Sequence, residues 1–318
     1  MPRFNEIMGL LLVIATFSLA AGSLTFWEGN VTESIALKNS GQYNPYKEFN
    51  EFVNSLFFNA FGMNDLSDWA LAKFGAENGY YVQCYMRDLV AGTIVYWVTA
   101  GVWHFVIYHV MVHELFTSQG RSVPTWDTFL DQMCLAQASL FMYAGLPILS
   151  EYIIENNYTK VYFYIDEVGG WPWYFAYLAL YLLFVEYGIY WMHRTLHTNK
   201  FLYKYVHGLH HKYNKALTLT PWASIAFNPI DGLLQASPYV VGLFILPVHY
   251  FTHVILLFFS GVWATNIHDA VWADYEPIMG AKYHTVHHTH YHYNFGQFFT
   301  LMDWLHGTLR VPEKEKFA

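Results

Sequence analysis

Three closely spaced histidine clusters constrain this chain more than any other feature of its sequence. Seventeen of the 318 residues are histidine, and eight of these form the clusters His193 and His197; His207, His210 and His211; His284, His287 and His288. Residues three or four apart share one face of a helix, so we expect each cluster to present its imidazoles in one direction. Neutral imidazole is the commonest metal ligand, and three converging clusters supply more nitrogens than one metal needs. The spacing therefore predicts a site for two metal ions.

The composition places these clusters beside a membrane. The chain is 55% hydrophobic and only 13% charged, with a mean hydropathy of +0.20, whereas a soluble domain has about 25% charged residues. Its net charge of −8 gives no basic field for binding nucleic acid. The two cysteines, Cys84 and Cys134, cannot form a disulfide framework, and we expect two free thiols.

Apolar runs of about 20 residues predict the membrane spans. Four runs have this length, at 8–27, 89–112, 133–154 and 173–192. The first follows Arg3 and contains a small-residue motif ending at Ala20, so it is either a membrane anchor or a signal peptide. A fifth apolar stretch, 237–264, is interrupted by Pro247.

The expected topology follows if the three clusters meet at one centre. The first cluster comes just after the span 173–192, so the third cluster must lie on the same side of the membrane. The stretch 237–264 must then enter the membrane and return, with its turn near Pro247. Each arm has about 11 to 14 residues, or roughly 17 to 21 Å, which predicts a re-entrant hairpin. The predicted fold is an all-α integral membrane protein with about four transmembrane helices, a re-entrant helical hairpin and a cytosolic histidine-rich helical cap.

The distribution of charge orients this fold. The loop 193–236 carries five basic residues against one acid, Asp231, whereas acids outnumber bases in the segment 28–88. The positive-inside bias predicts cytosolic histidine clusters and a cytosolic C-terminus, with 29–88 and 155–172 in the lumen. Glycosylation sequons at Asn30 and Asn157 agree with this orientation.

Three regions are predicted along the chain. Residues 1–28 form the N-terminal anchor or signal-like segment, and 29–88 form a lumenal segment that is turn-rich from residue 40 onwards. Residues 89–318 form the membrane and cytosolic catalytic domain. The C-terminal residues Lys314 and Lys316 have the spacing of an endoplasmic reticulum retrieval signal, and a solvated charged tail is the alternative.

The histidines outside the clusters are expected to differ in role. His268 precedes the third cluster by 16 residues, where the chain re-emerges from the membrane, and we expect it to be a further ligand. His104 lies inside a predicted span, where it either bonds within the helix bundle or faces a cavity. Roles in packing or at the interface are expected for His109, His113, His249 and His253, and roles in supporting the ligands or on the surface for His290, His292 and His306.

The chemistry expected of such a site is oxidative. The clusters contain no carboxylate and lie beside apolar spans, which favours a lipid substrate over metal-assisted hydrolysis. Attack on an unactivated C–H bond requires iron and dioxygen, with electrons supplied from outside. No glycine-rich dinucleotide motif follows a strand, so the electron donor should be a separate protein. The alternative is a non-catalytic metal-handling membrane protein, whose ligands should lie near the membrane midplane.

The residues around the clusters resemble those of the fatty acid hydroxylase/sterol desaturase superfamily. This resemblance is carried by the segments 190–197, 202–207 and 210–215. Further segments resemble the sterol C-5 desaturases (lathosterol oxidases), the plant and algal delta-7-sterol C-5(6) desaturases most of all: 149–156, 185–192, 217–221, 229–232, 266–269, 283–290, 293–296, 302–304 and 307–310. The resemblance extends over roughly residues 130–312.

The resemblance implies a function and a ligand set. It implies that the eight cluster histidines and His268 bind two non-haem irons, with no catalytic residue indicated beyond them. It also implies removal of hydrogens from C-5 and C-6 of a delta-7 sterol, with dioxygen, cytochrome b5 and its NADH-dependent reductase. The spacing of Lys314 and Lys316 places the expected protein in the endoplasmic reticulum membrane. One departure is Asn228, where the family pattern has histidine, so no metal role is carried to it. A sterol C-4 methyl oxidase and a fatty-acyl or sphingolipid hydroxylase of the same superfamily are the alternatives.

Overall fold

The computed structural model describes residues 30–214, 218–268 and 277–312. The predicted anchor or signal segment 1–28 and the predicted retrieval signal lie outside these residues. Within them, four helical stretches are long and apolar enough to cross a membrane: Asn64–Val110, Trp126–Glu155, Trp171–Thr198 and Tyr250–Ile267. The predicted all-α membrane fold is confirmed.

The α-helices are numbered here along the described chain. They are α1 (Val31–Asn39), α2 (Pro45–Ala60), α3 (Asn64–Phe105), α4 (Val112–Leu115), α5 (Trp126–Tyr143), α6 (Gly145–Glu155), α7 (Trp171–Thr198), α8 (Lys200–Tyr205), α9 (Pro229–Ile245), α10 (Tyr250–Ile267), α11 (Ala281–His290) and α12 (Leu301–Leu305). A π-helical turn, Val106–Val110, continues α3, and short 3₁₀ helices lie at Thr117–Gln119, Ile165–Val168, His207–Lys212 and Pro221–Ala223. Two short strands, β1 (Val161–Tyr162) and β2 (Val248–His249), pair in parallel.

The segment predicted to be turn-rich is mostly helical, so that prediction was wrong. The Asn44 side chain accepts a hydrogen bond from the backbone N–H of Lys47 at 3.1 Å, which caps the start of α2. Gly75 has φ 82° and ψ 169°, which breaks α3. Beyond the break, Gly79 packs so closely that an added Cβ would lie 2.7 Å from the carbonyl oxygen of Ala70. The Asn, Pro and Gly residues of this segment lie at helix ends and at one helix break. The same residue types are common in loops, so the local sequence does not distinguish the two.

The chain forms two compact units. Among the described residues, the first comprises 30–91, 144–182 and 239–259, and the second comprises 92–143, 183–238 and 260–312. Helices α3, α7, α9 and α10 contribute residues to both units. All three histidine clusters belong to the second unit.

The first unit contains the turn of the predicted hairpin. Helix α9 ends at Ile245 and α10 begins at Tyr250, with Pro247 between them as predicted. Strand β2 in this turn pairs with β1, Val161 lying opposite Val248. The two arms have 17 and 18 residues, or roughly 26 Å each, because α9 starts earlier and α10 ends later than the apolar run. The arms are therefore longer than predicted, and α10 alone is long enough to be a candidate span. The two arms either cross the membrane separately or form a re-entrant hairpin. In both arrangements the chain returns to the side of the membrane from which it started.

A buried polar network also belongs to the first unit. Arg87 donates to the carboxylate of Asp88 at 2.9 Å and also bonds to Glu151. Glu155 accepts hydrogen bonds from Asn50 at 2.8 Å and from Tyr80 at 2.6 Å. Charged groups in an apolar bundle require such partners, because an unpaired buried charge is costly.

In the second unit, small residues bring the elements around the clusters into close contact. A Cβ added to Gly188 in α7 would lie 2.7 Å from the Pro238 side chain of α9. A Cβ added to Gly232 would lie 2.4 Å from the Phe227 ring.

Both cysteines are free thiols, as the sequence predicts. Cys84 is buried and Cys134 is exposed.

Candidate metal centre

Four elements carry the predicted ligands. His193 and His197 lie in the last two turns of α7, and His268 follows directly after α10. The 3₁₀ helix His207–Lys212 carries the second cluster, and α11 carries the third. The Asn199 side chain begins the short helix α8 between the first two clusters by accepting the backbone N–H of Leu202 at 3.1 Å.

The nine predicted ligands come together in two groups, and none of them lies outside. Within each group, one nitrogen of every residue lies within 4.8 Å of the others. The five-histidine group is His193, His197, His207, His211 and His287. The four-histidine group is His210, His268, His284 and His288.

Two clusters divide between the groups, contrary to the expectation that each presents its imidazoles in one direction. His207 and His211 join the five-histidine group, while the adjacent His210 joins the other. Adjacent side chains diverge by about 100° to 120° on any helix, so His210 and His211 point in different directions. In α11, His284 and His288 are four residues apart on one face, whereas His287 belongs to the other group.

The Nε2 atoms converge within each group. The Nε2 of His207 lies 2.8 Å from that of His197 and 3.0 Å from that of His211. In the four-histidine group, the Nε2 of His284 lies 3.1 Å from those of His268 and His288. Two nitrogens bound to one metal at about 2.1 Å lie roughly 3 Å apart when their bonds are perpendicular. The spacing of the nitrogens therefore fits a metal ion in each group.

The opposite ring nitrogens are held by acceptors. An Nδ1 atom lies within hydrogen-bond distance of an oxygen in four residues: His193 with the Phe295 carbonyl at 3.0 Å, His207 with the Asp231 carboxylate at 2.7 Å, His268 with the Ala264 carbonyl at 2.6 Å, and His287 with the Tyr293 carbonyl at 2.8 Å. Because carbonyl and carboxylate oxygens accept, these rings donate Nδ1–H, which leaves a lone pair on Nε2. Metal-bound histidines are usually oriented in this way.

Burial keeps these imidazoles in the neutral form that binds metals. Burial lowers the pKa of His268 to about 4. Burial, followed by neighbouring histidines, lowers the pKa well below its usual value at His207, His210, His211, His284, His287 and His288. The Nε2 atoms of His193 and His287 are buried and have no hydrogen-bond partner among the described residues. A bound metal would satisfy such atoms, so the donor set fits one.

Asp231 is a site residue that the sequence analysis did not single out. It is fully buried, and its carboxylate accepts from His207 and, at 2.8 Å, from the Gln235 amide. The available signal was its position as the one acid in the basic loop 193–236. Asn228 lies just before α9, the helix that carries Asp231. Its side-chain oxygen accepts the backbone N–H of Ile230 at 3.0 Å and so caps the start of that helix.

The remaining histidines lie outside both groups. His104 accepts a hydrogen bond from the Trp222 indole at 3.1 Å, so it bonds within the second unit. His249 and His253 are buried in the first unit, where His253 lies 3.0 Å from the Tyr181 hydroxyl. The side chains of His109, His113, His290 and His292 are exposed. His306 stacks on the Tyr190 ring at a centroid distance of 5.0 Å.

Comparison with known proteins shows the class to which a membrane protein with these histidine groups belongs. Residues 178–308, which contain all nine histidines, match the family model described as fatty acid hydroxylase. The chain is 45% identical over 237 residues to delta(7)-sterol-C5(6)-desaturase 2 of Arabidopsis thaliana, covering 74% of this chain and 84% of that protein. It is 44% identical over 236 residues to the delta(7)-sterol-C5(6)-desaturase of Nicotiana tabacum, covering 74% and 86%.

A fungal relative extends the comparison. The delta(7)-sterol 5(6)-desaturase of Gibberella zeae is 32% identical over 238 residues, covering 73% of this chain and 64% of that protein. No solved structure matches the chain significantly. The chain belongs to the delta(7)-sterol-C5(6)-desaturase family within the fatty acid hydroxylases, as the resemblance predicted.

Proposed function

We propose that this protein introduces the C-5(6) double bond into a delta-7 sterol at a centre of two irons held by the nine histidines. The observation that carries the proposal is the pair of adjacent all-imidazole groups at the ends of candidate membrane spans. The names of the plant relatives supply the sterol and the position of the double bond. Imidazole ligation without carboxylates suits iron in an oxidative site better than a hydrolytic metal.

The reaction removes two hydrogens from neighbouring sterol carbons. Dioxygen accepts them together with two electrons and two protons, and two waters leave with the diene. Bound iron supplies the reductive activation of dioxygen that an unactivated C–H bond requires. The electrons come from cytochrome b5 and its NADH-dependent reductase. The chain contributes neutral, buried imidazoles whose ring orientation is fixed by acceptors such as Asp231.

The location of the histidines supports access from lipid. His193 and His197 lie at the end of the candidate span Trp171–Thr198, and His268 follows the candidate span Tyr250–Ile267. A sterol in the bilayer reaches such a site without entering water. Desaturation and hydroxylation share the first hydrogen abstraction, so a rigid site must present the second hydrogen promptly. A loosened site is expected to form alcohol beside alkene.

We further propose that the protein lies in the endoplasmic reticulum membrane with its histidine groups in the cytosol. The basic loop 193–236 supports this orientation. Two exposed positions test it in a Cys134→Ser background, since Cys84 is buried. Cysteine at Thr289 should react with a cytosolic impermeant reagent, and cysteine at Tyr158 only with a lumenal one. Labelling of both positions from the same side would contradict the topology.

The reaction is tested in yeast that lacks its own C-5 desaturase. Expression of this chain should convert the accumulated delta-7 sterol to the delta-5,7 diene. His210→Ala should abolish the diene, because it removes a buried member of the four-histidine group. His290→Ala is the matched control, since this exposed residue of α11 lies in neither group.

Two outcomes would contradict the proposal. A 4-carboxy sterol or a hydroxylated acyl product, with the delta-7 sterol untouched, would favour a C-4 methyl oxidase or an acyl hydroxylase. Full diene formation by His210→Ala would remove that residue from the ligand set. Iron analysis of the purified protein should give close to two irons per chain. Zinc found after purification would not decide the matter, because imidazole sites bind zinc more tightly than ferrous iron.

A further inference from the structure

One face of helix α7 connects the metal centre to a buried carboxylate. Glu186, Tyr190, His193 and His197 are spaced so that all four lie on one face of the helix. Glu186 is 2% exposed and precedes His193 by two turns, or roughly 10 Å along the axis. The reaction proposed above gives this carboxylate no role.

Glu186 binds the backbone of the segment after α11. Its Oε1 accepts the N–H groups of Gln297 and Phe299, each at 3.1 Å. Its Oε2 accepts the N–H of Phe298 at 3.0 Å. Three consecutive backbone donors are thus satisfied by one side chain.

A second buried carboxylate binds the preceding part of the same segment. Asp303, fully buried in α12, accepts the N–H groups of Phe295 at 2.9 Å and Gly296 at 2.8 Å. It also accepts the Thr308 hydroxyl at 2.7 Å. At Gly296 an added Cβ would lie 2.4 Å from the Phe299 carbonyl oxygen, so the segment is wound too tightly for a side chain there.

The carbonyl groups of this segment hold two rings of the metal centre. The Phe295 carbonyl accepts from His193 of α7, and the Tyr293 carbonyl accepts from His287 of α11. Both rings belong to the five-histidine group. The five consecutive N–H groups of 295–299 are therefore bound by carboxylates, while carbonyls of the same segment hold ligand rings.

We propose that Glu186 and Asp303 are positioning residues that fix the segment 293–299, so that its carbonyls aim His193 and His287 at the metal of the five-histidine group. An ionised carboxylate only accepts hydrogen bonds, which matches a row of N–H donors. The two side chains approach the segment from α7 and α12, and therefore restrain it from two directions. This role concerns metal binding, and it holds whichever lipid the site oxidises.

The test measures metal retention and ligand geometry in the full-length protein purified in detergent. Wild type, Glu186→Gln and Glu186→Ala are loaded with Co²⁺ and titrated with a chelator. Loss of an outer hydrogen-bonding partner typically weakens metal binding by about tenfold to a hundredfold. We expect Glu186→Ala to release the first Co²⁺ at a roughly tenfold lower chelator concentration than wild type. We also expect it to alter the Co²⁺ absorption spectrum.

Glu186→Gln separates positioning from folding. Its amide oxygen can still accept two of the three N–H groups, so retention should fall between wild type and alanine, with a smaller spectral change. Asp303→Asn should behave like Glu186→Gln. The matched control is Glu155→Gln in the first unit. Like Glu186, Glu155 is a buried carboxylate that accepts several hydrogen bonds, but its donors are the side chains of Asn50 and Tyr80. It should lower the melting temperature without changing the spectrum.

Two results would overturn the proposal. The first is a Glu186→Gln protein with the wild-type Co²⁺ spectrum and wild-type chelator titration. The second is a Glu155→Gln protein that loses metal as readily as Glu186→Gln at an equal fall in melting temperature. Neither measurement involves sterol, so failure here leaves the proposed reaction to its own assay. If Glu186→Ala does not fold, the glutamine and asparagine variants decide.

Discussion

Asp231 offers the sharpest test of how the protein holds its ligands. The fully buried carboxylate accepts the Nδ1–H of His207 at 2.7 Å. A hydrogen bond to a charged group contributes about 1.5 to 3 kcal/mol, and each 1.4 kcal/mol is about a factor of ten in an equilibrium constant. Asp231→Leu removes the acceptor and frees the ring of His207 to rotate. We therefore expect metal binding in the five-histidine group to weaken by roughly tenfold to a hundredfold.

Asp231→Asn should have a smaller effect, because its amide oxygen still accepts from His207 but carries no charge. The assay is the chelator concentration that removes the first iron from purified protein, together with diene formation in yeast. Asp131→Asn is the control. Its carboxylate bonds to Lys212 at 2.7 Å, but the side chain is 46% exposed, and exposed ion pairs contribute at most about 1 kcal/mol.

The reasoning is refuted if Asp231→Leu folds and retains iron at the same chelator concentration as wild type. It is also refuted if Asp131→Asn weakens iron binding as strongly as Asp231→Asn. In either case the orientation of His207 would not depend on the carboxylate. The chelator concentration that removes the first iron should be highest for wild type and Asp131→Asn, lower for Asp231→Asn and lowest for Asp231→Leu.

Three further predictions concern other parts of the chain. His268→Ala should lower iron content and diene formation, whereas an unchanged turnover rate would remove His268 from the ligand set. Gly188→Ala should destabilise the protein by about 1 to 3 kcal/mol by overpacking against Pro238, measured as thermal unfolding in detergent, while Gly261→Ala, with no atom within 4 Å of the added Cβ, should not. Burial lowers the pKa of His249 to about 4, below about 6.5 in the unfolded chain, so its stabilising contribution is complete above pH 6.5 and is lost as the pH falls towards 4. His249→Gln should therefore flatten the fall in unfolding free energy over that range by up to about 1.4 kcal/mol per pH unit, and an unchanged slope would contradict this.

The convergence of the nine histidines could be predicted from the sequence, but their arrangement could not. Spacing within the clusters and the position of His268 indicated nine ligands, and the structure brings all nine together. Their division into groups of five and four was not predictable, because residues three and four apart both lie near one face of a helix, and only the positions of the other elements decide which imidazoles converge. The sequence read as helical predicted that these neighbours would act together.

The helices of 40–88 show a second limit. The Asn, Pro and Gly residues of this segment predict turns, yet Asn44 begins one helix and Gly75 breaks another. The same residue types favour both outcomes, and only the packing of the neighbouring helix decides between them. The family resemblance lay mainly in residues 130–312, so this segment had no such guide.

The sequence alone determined the membrane environment and the family of the protein. Apolar runs of about 20 residues favour burial in lipid, and the spacing of the histidines predicts a metal site, because neutral imidazole is the commonest metal ligand. The tertiary structure decided which side chains bond to the histidines and to the backbone beside them. Asp231, Glu186 and Asp303 act across 24, 111 to 113, and 7 to 8 residues of sequence, and their partners are mostly backbone groups that every residue carries. Such contacts leave no pattern in the sequence, since they arise only when packing brings a buried carboxylate to a row of N–H donors.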